Sequence, residues 1–384
     1  MSSLLIRGAQ INTALHRDVI FGDILVLDGK IAAIGSDLSC PQGIDILEAK
    51  DLFIYPGFVE AHCHIGLSGN VGFVSKDHNE KSDPLTPHLR AIDAINPFAV
   101  EFKEAALAGV TTVATGPGSA NPVGGLFAAL KTYGRRVDDM LVKDAVAMKC
   151  AFGENVKGLP AEKAHFTRMG AVAKIRDLLF KTKEYAAKLE LAKENKAKTP
   201  DFDIKLEAML PVLRGEIPLK AHAHQANDIF TAIRIAKEFN LKMSIEHCTE
   251  GHLIADYLAA EEYPLAIGPG MSFNSKFELL QKTFSTPGIL AKAGCLVSII
   301  TDSPVTLQEY LPIAAGLAIK AGMQPFEALK AITINPARTL GIENRVGSIA
   351  PGKDADLVLA DGNVFEIATR VVETIIDGKL IQRK

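Results

Sequence analysis

Two histidine pairs in this sequence have the spacing of side chains that share one face of a β-strand. His62 and His64 end a short apolar run that follows the Pro56-Gly57 turn, and His222 and His224 end a later apolar run. Residues two apart in an extended strand point to the same side of the sheet, so each pair can converge on one point. Imidazole is a ligand for zinc, iron and nickel, and the two pairs therefore predict a metal site.

Two further metal-ligand candidates, His247 and Asp302, lie at the ends of later predicted strands. The run Leu241–Cys248 carries His247 near its end, and Asp302 directly follows the run Cys295–Thr301. An aspartate in that position can also cap the next helix, and Ser303-Pro304 after it keeps this alternative open. Because the carboxyl ends of barrel strands meet on one face, ligand types at all these strand ends favour a metal centre.

Alternation along the predicted strand Met140–Phe152 directs Lys149 toward the same interior as the histidines. Its neighbours on that face are alanines, whereas the opposite face is bulky and apolar. A lysine inside a barrel is costly unless it is paired, neutralised or chemically modified. Carboxylated by carbon dioxide, Lys149 would become a carbamate that can bridge two metal ions. Glu154, at the tip of the strand, is the alternative bridging ligand, and the choice between one and two metal ions stays open.

Strands and helices alternate between residues 56 and 345, which is the pattern of parallel βα units. This region is predicted to be a (β/α)8 catalytic barrel of the TIM type in an α/β protein, although the third strand cannot be placed. Residues 1–55 and 346–384 are instead rich in short β segments and turn signals such as Asp28-Gly29. We predict that the two ends meet as one small composite β-sandwich.

A polar stretch, Ser68–Pro97, directly follows the first histidine strand, where barrel enzymes keep their substrate loops. It contains His78 and His88, which are substrate-binding candidates together with Arg168 and Gln225. These residues match no substrate signature, so the sequence leaves the identity of the substrate open.

Composition places the chain among ordinary globular proteins. Of its 384 residues 48% are hydrophobic and 23% are charged. The net charge of −3 does not indicate a basic surface for binding nucleic acid. No apolar run is long enough for a membrane-spanning helix, and the first residues lack a secretory signal pattern. The cysteines form no CxxC pair, as in proteins with reduced thiols. We therefore expect a cytoplasmic protein without membrane or nucleic-acid partners.

Several motifs together resemble the amidohydrolase superfamily of metal-dependent hydrolases. They span nearly the whole chain and are PGFVEAHCH, KAHAH, SIEH, TDSP and the tail NPARTLGIENRVGSIAPGKDADLVL. The resemblance is closest to imidazolonepropionase and to the prolidase-like dipeptidases. It places Lys149 at the carboxylated lysine of the dipeptidases and implies that the metal ligands are His62, His64, His222, His247 and Asp302. One departure is Gln225, which stands where imidazolonepropionase has an acid.

The residues and the resemblance together predict hydrolysis of a C–N bond in an amide, a dipeptide or a cyclic amide. One or two divalent ions, zinc or else iron or nickel, would lower the pKa of water and supply hydroxide. Asp302 would take the proton and return it to the leaving nitrogen, while His224 or His247 would help to stabilise the tetrahedral oxygen. The alternative is a deaminase acting on a ring C=N bond or a lactam. The expected partner is a small-molecule substrate, and a homo-oligomer is left open.

Overall fold

The described part of the chain is organised around two β-sheets, with helices packed on one of them. The structure, a computed structural model, describes residues 3–68, 77–157, 167–196 and 199–382. No helix in these ranges is both long and apolar enough to cross a membrane. The α-helices of these ranges are α1 (Val100–Leu107), α2 (Val137–Met140), α3 (Arg168–Glu194), α4 (Ile204–Leu213), α5 (Ala226–Phe239), α6 (Ala255–Glu261), α7 (Thr286–Lys292), α8 (Leu311–Lys320), α9 (Pro325–Ala331) and α10 (Ile334–Leu340).

One sheet combines both ends of the chain. Its strands are β1 (Leu4–Ile11), β2 (Ile20–Leu27), β3 (Lys30–Gly35), β4 (Asp45–Glu48), β5 (Phe53–Pro56), β14 (Leu357–Ala360), β15 (Val371–Ile376) and β16 (Lys379–Leu380). Strand β5 joins the two ends, because it pairs in parallel with β1 and antiparallel with β14. The structure thus confirms a β unit built from both chain ends. The division into domains at residues 56 and 346 stays a prediction.

The second sheet curves into a nearly closed barrel. In spatial order its strands are β6 (Phe58–Cys63), β7 (Val110–Thr115), β8 (Val123–Lys131), β9 (Leu141–Ala151), β10 (Leu219–Ala223), β11 (Met243–His247), β12 (Leu265–Ile267) and β13 (Val297–Ile299). Strands β9 to β13 pair in parallel, as do β6 and β7. The predicted α/β barrel is therefore confirmed, and the carboxyl ends of these parallel strands share one face.

Strand β8 differs from the predicted succession of βα units because it runs antiparallel to both of its neighbours. The segments 116–122 and 132–140 connect it to β7 and β9. A parallel crossover needs a dozen or more residues, so connections this short return the chain as hairpins. No long helix separates β7, β8 and β9, which explains why the alternating pattern could not place a third strand.

The barrel is closed between β6 and the segment after β13 by a buried carboxylate. Glu60 accepts hydrogen bonds from the backbone N–H and the hydroxyl of Thr301 at 2.9 and 2.8 Å, and from the amide of Gln308 at 2.9 Å. The backbone N–H of His64 also donates to the carbonyl of Ser303 at 2.8 Å. These bonds hold the end of β6 beside Asp302.

Candidate metal centre

Six candidate ligands from four places on the carboxyl face of the barrel form two adjacent clusters. His62, His64 and Asp302 form one cluster, and within it one ligand atom of each residue lies within 4.8 Å of the others. The second cluster, with the same spacing, consists of His222, His224 and His247. The rings of His62 and His247 are 5.4 Å apart, so the clusters adjoin. The structure therefore brings together all six residues, five histidines and one aspartate, that the strand ends predicted.

Backbone carbonyl groups orient two of these histidines. The Nδ1 of His64 lies 2.7 Å from the carbonyl oxygen of Gly116, and the Nδ1 of His247 lies 2.8 Å from that of Gly268. A carbonyl can only accept, so both rings carry their proton on Nδ1 and present the lone pair of Nε2. This orientation is typical of metal-binding histidines, whose other nitrogen donates to a carbonyl or carboxylate.

His222 gives the clearest fit to a metal ion. Both of its ring nitrogens are buried and neither has a hydrogen-bond partner among the described residues. A buried polar atom without a partner costs about 1–3 kcal/mol, and metal ligation would offset that cost. Burial also holds the pKa of His62, His222 and His224 well below the usual value. Their rings are therefore neutral, which is the form that binds a metal.

Asp302 faces the first cluster and does not cap a helix. Its Oδ1 lies 3.3 Å from the Nε2 of His64 and 3.7 Å from that of His62. Burial opposes its ionisation, but the adjacent ring of His64 and the nearby His247 keep the pKa of Asp302 below its usual value. The next α-helix begins only at Leu311, so the capping alternative is wrong. Asp302 has a φ of 52°, a left-handed conformation that is rare outside glycine and concentrated at functional sites.

The structure brings Lys149, and not Glu154, to these clusters. Lys149 is fully buried, and its Nζ lies 3.0 Å from the Nε2 of His62. Burial lowers the pKa of Lys149 to about 8. The carboxylate of Glu154 is bound instead by Lys157 at 2.9 Å and by Arg168 at 2.8 Å. Of the two residues, Lys149 therefore has the better position for a bridging ligand than Glu154. Its role as a metal ligand stays a prediction.

A buried charged network behind His62 was not foreseen. Lys220 is the register partner of Lys149 on the neighbouring strand, and its Nζ lies 2.9 Å from Oε2 of Glu246. The same oxygen lies 3.0 Å from the Nδ1 of His62, and the hydroxyl of Ser244 donates to the other oxygen at 2.6 Å. Lys220 precedes His222 by two residues, so the alternation that pointed to Lys149 also points to Lys220.

A family model described as the amidohydrolase family matches residues 53–381, which is most of the chain. The protein belongs to this family. Members of the family use divalent metal ions, in agreement with the two clusters of candidate ligands. The expected resemblance to the amidohydrolase superfamily is thereby confirmed.

Individual amidohydrolases show how far this likeness extends. The solved structure of an amidohydrolase from Thermotoga maritima MSB8 is 40% identical, with a TM-score of 0.95 over 99% of this chain and 100% of its own. Amidohydrolase tasK from Hapsidospora irregularis is 27% identical over 93% of this chain and 39% of its own length. Adenine deaminase 1 from Latilactobacillus sakei subsp. sakei (strain 23K) is 22% identical over 95% of this chain and 56% of its own. The chain spans less than two thirds of either curated relative.

In this amidohydrolase a cavity of about 600 Å³ opens over the two clusters. His78 lines it, with its ring 5.6 Å from that of His64. His88, Arg168 and Gln225 are not among the described residues that line this cavity. Arg168 donates to the side-chain oxygen of Gln225 at 2.8 Å, so these two side chains are engaged with each other. Of the four predicted substrate-binding residues, the structure brings His78 to the cavity.

Residues that sequence reasoning missed supply much of the remaining cavity wall. They are polar at Ser119, Asn155 and Lys276, and apolar at Met271, Phe273 and Val305. Lys276 lies in the loop after β12, at the carboxyl face of the barrel, where active-site loops are expected.

Proposed function

We propose that this amidohydrolase hydrolyses the C–N bond of an amide, a dipeptide or a cyclic amide, with the help of one or two divalent metal ions. The observation that carries the proposal is the buried, unpartnered imidazole of His222 beside His247, next to a cluster that includes an ionised Asp302. This set combines neutral metal ligands with a carboxylate that can move a proton. The cavity above it has the size of a small-molecule site.

The chemistry of the ligands favours zinc. His62, His64 and Asp302 would hold one ion, and His222 and His247 would hold another if Lys149 is carboxylated and bridges the two. Four neutral imidazoles with oxygen ligands are a typical zinc donor set, although iron and nickel also accept imidazole. When bound, such an ion supplies a water of lowered pKa and polarises the substrate carbonyl.

Asp302 is the residue that moves protons. Its carboxylate lines the cavity, and its Oδ1 lies 3.3 Å from the Nε2 of His64. It accepts a proton from the attacking water and passes it to the leaving nitrogen, first as general base and then as general acid. A buried aspartate with a lowered pKa is ionised before the reaction, as the first step requires.

His224 is better placed than His247 to stabilise the tetrahedral oxygen. The Nδ1 of His247 donates to a carbonyl, so its Nε2 has no proton to offer. The Nδ1 of His224 lies 2.7 Å from the hydroxyl of Thr249, which can donate to it. In that arrangement the Nε2–H of His224 is free to donate to an oxygen of the substrate.

The second candidate function is deamination of a ring C=N bond. It is favoured by the adenine deaminase among the relatives, although the chain spans 56% of that relative. Against it stands Gln225, which occupies the position of the acid in the imidazolonepropionase pattern and is bound by Arg168. An amide side chain cannot act as the acid that protonates a ring nitrogen.

One screen separates the two functions. Zinc-loaded protein is incubated with N-acyl amino acids, dipeptides and lactams in one arm, and with adenine and adenosine in the other. We expect release of a free amino group in the first arm and no ammonia in the second. Ammonia release from a purine alone would favour the deaminase, and full activity after exhaustive chelation would contradict both.

A further inference from the structure

One wall of the catalytic cavity carries a fixed ammonium group that the proposed mechanism does not use. The side chain of Lys276 lines the cavity above the histidine clusters. Its Nζ donates to the side-chain oxygen of Asn155 at 2.6 Å and lies 2.6 Å from Oε1 of Glu278. A lysine ammonium has three donors, so one remains for a group inside the cavity.

The partners of Lys276 are themselves held in place. Glu278 is fully buried, and its Oε2 accepts the backbone N–H of Glu154 at 3.1 Å. Close to that oxygen lies Gly153, with a φ of 81°, where a Cβ would sit 2.8 Å from it. Asn155 donates to the hydroxyl of Ser119 at 2.6 Å. Lys276 is therefore positioned by two anchored groups and is not a solvated surface lysine.

Lys276 also lies close to the reacting end of the cavity. Oε1 of Glu278, which contacts its Nζ, is 3.7 Å from the Nε2 of His224. A substrate group bound by Lys276 would thus be a near neighbour of the bond that is cleaved.

We propose that Lys276 binds a free carboxylate of the substrate, so that the natural substrate is an N-acyl amino acid or a dipeptide. This inference rests on the proposed hydrolysis of a C–N bond and narrows its substrate class. The carboxylate would lie beside the scissile bond, on the ammonium that Asn155 and Glu278 hold. Glu278 does not prevent this binding, because in the same protein the ammonium of Lys131 contacts three carboxylates at 2.5, 3.0 and 3.0 Å.

The test compares substrates and ligands that differ only in the carboxylate. Zinc-loaded wild type and the variants Lys276→Met and Lys276→Arg are assayed with dipeptides and with the corresponding dipeptide amides. Lys276→Met should lower kcat/KM for the free acids about 10- to 100-fold, the value of a hydrogen bond to a charged group, and leave the amides nearly unchanged. Lys276→Arg should keep part of the preference for the acid. Lys292→Met, at the exposed end of α7, is the matched control and should behave like wild type.

A binding measurement separates this inference from the proposed function. Titration calorimetry is carried out with N-acetyl-L-leucine and N-acetyl-L-leucinamide on the zinc-loaded proteins. Tighter binding of the acid by wild type, lost in Lys276→Met, supports the carboxylate site even if none of the tested bonds is hydrolysed. Equal binding of acid and amide by wild type, or unchanged acid binding by Lys276→Met, would overturn it even if hydrolysis is confirmed.

Discussion

His222 illustrates how a single side chain can indicate a ligand. Its neighbours His224 and His247 each have a hydrogen-bond partner on Nδ1, and it has none on either nitrogen within the described residues. The ring of His247 lies 4.3 Å from it, between centroids. Two neutral imidazoles at this separation, one of them without a partner, are best explained as ligands of one ion.

We predict that His222→Ala loses most of the bound metal. The variant removes a candidate ligand whose ring nitrogens have no hydrogen-bond partner among the described residues. The fold should therefore persist while the affinity for zinc falls. Metal content after dialysis, measured by atomic emission, checks this, with circular dichroism as the test of folding. His16→Ala, at an exposed position, should retain the wild-type content. Equal zinc in His222→Ala and wild type would show that the metal binds elsewhere.

A second prediction about a single residue concerns Asp302. Asp302→Asn keeps the shape of the side chain but cannot accept the proton of water. Turnover should therefore fall about 10²- to 10⁴-fold, the usual contribution of a general base. The steady-state rate, normalised to the metal content of each preparation, is the measurement. Asp256→Asn, exposed on α6, should be unaffected, whereas an Asp302→Asn variant within tenfold of wild type would remove Asp302 from the mechanism.

The sequence predicted the ligands better than the residues around them. The period of two identified His62, His64, Lys149 and the second histidine pair, because strand alternation acts within a few residues. It could equally have identified Lys220, which stands two residues before His222. Glu278 and Gly116 could not be foreseen, because their positions depend on how distant loops fold over the barrel face.

At the scale of elements, the pairing of β10 with β11 places a carboxylate behind His62. Strand register sets Lys220 beside Ser244 and His222 beside Glu246. Glu246 is fully buried, and its negative charge is balanced by Lys220 at 2.9 Å. Its Oε2 lies 3.0 Å from the Nδ1 of His62, whose Nε2 lies 3.0 Å from the Nζ of Lys149. A carboxylate behind a metal-binding histidine commonly tunes metal affinity.

We predict that Glu246→Gln weakens zinc binding about 10- to 100-fold without unfolding the barrel. The amide keeps the volume of the carboxylate but removes the charge that orients His62 and balances Lys220. Competition with a chromophoric chelator gives the dissociation constant. Glu238→Gln, on α5, which breaks a surface pair with Arg176 on α3, is the matched control. A dissociation constant within twofold of wild type would mean that Glu246 serves the core alone.

Sequence patterns predicted some strands of the barrel and not others. Strands β9 to β11 were recognisable as apolar runs, and an amphipathic helix, α5, follows β10. Strand β8 was not, because it lies between two hairpin connections and breaks the alternation. Strand β13 is only Val297–Ile299, so the prediction located Asp302 more securely than the strand before it, which was expected to span Cys295–Thr301.

At the scale of the whole molecule, a buried ion cluster joins the barrel to the sheet of the chain ends. Lys131, at the end of β8, lies 2.5 Å from Asp356 and 3.0 Å from both Asp354 and Asp377. Burial alone would lower the pKa of Lys131, but these carboxylates outweigh it and raise that pKa above its usual value. The lysine is therefore charged at neutral pH, and it holds the segment before β14 and the turn after β15 against the barrel.

The last prediction concerns Asp354, which also contacts Lys30 and Arg345. Burial opposes its ionisation, but Lys131, Lys30 and Arg345 lower the pKa of Asp354 to about 2. A carboxylate whose pKa is lower in the folded than in the unfolded chain stabilises the fold above about pH 4, and this stabilisation is lost as the pH falls toward about 2.

Asp354→Asn should therefore lower the free energy of unfolding at pH 7 by about 1.5–3 kcal/mol, the value of hydrogen bonds between charged groups. The deficit should shrink as the pH is lowered from 5 to 3, because Asp354 of the unfolded wild-type chain then takes up a proton and the unfolded state becomes more favourable. Urea unfolding at pH 7, 5, 4 and 3 measures it, with exposed Asp18→Asn as the control. A deficit that is equal at pH 7 and pH 3 would show that the shape of Asp354, and not its charge, secures the contact between the barrel and the chain-end sheet.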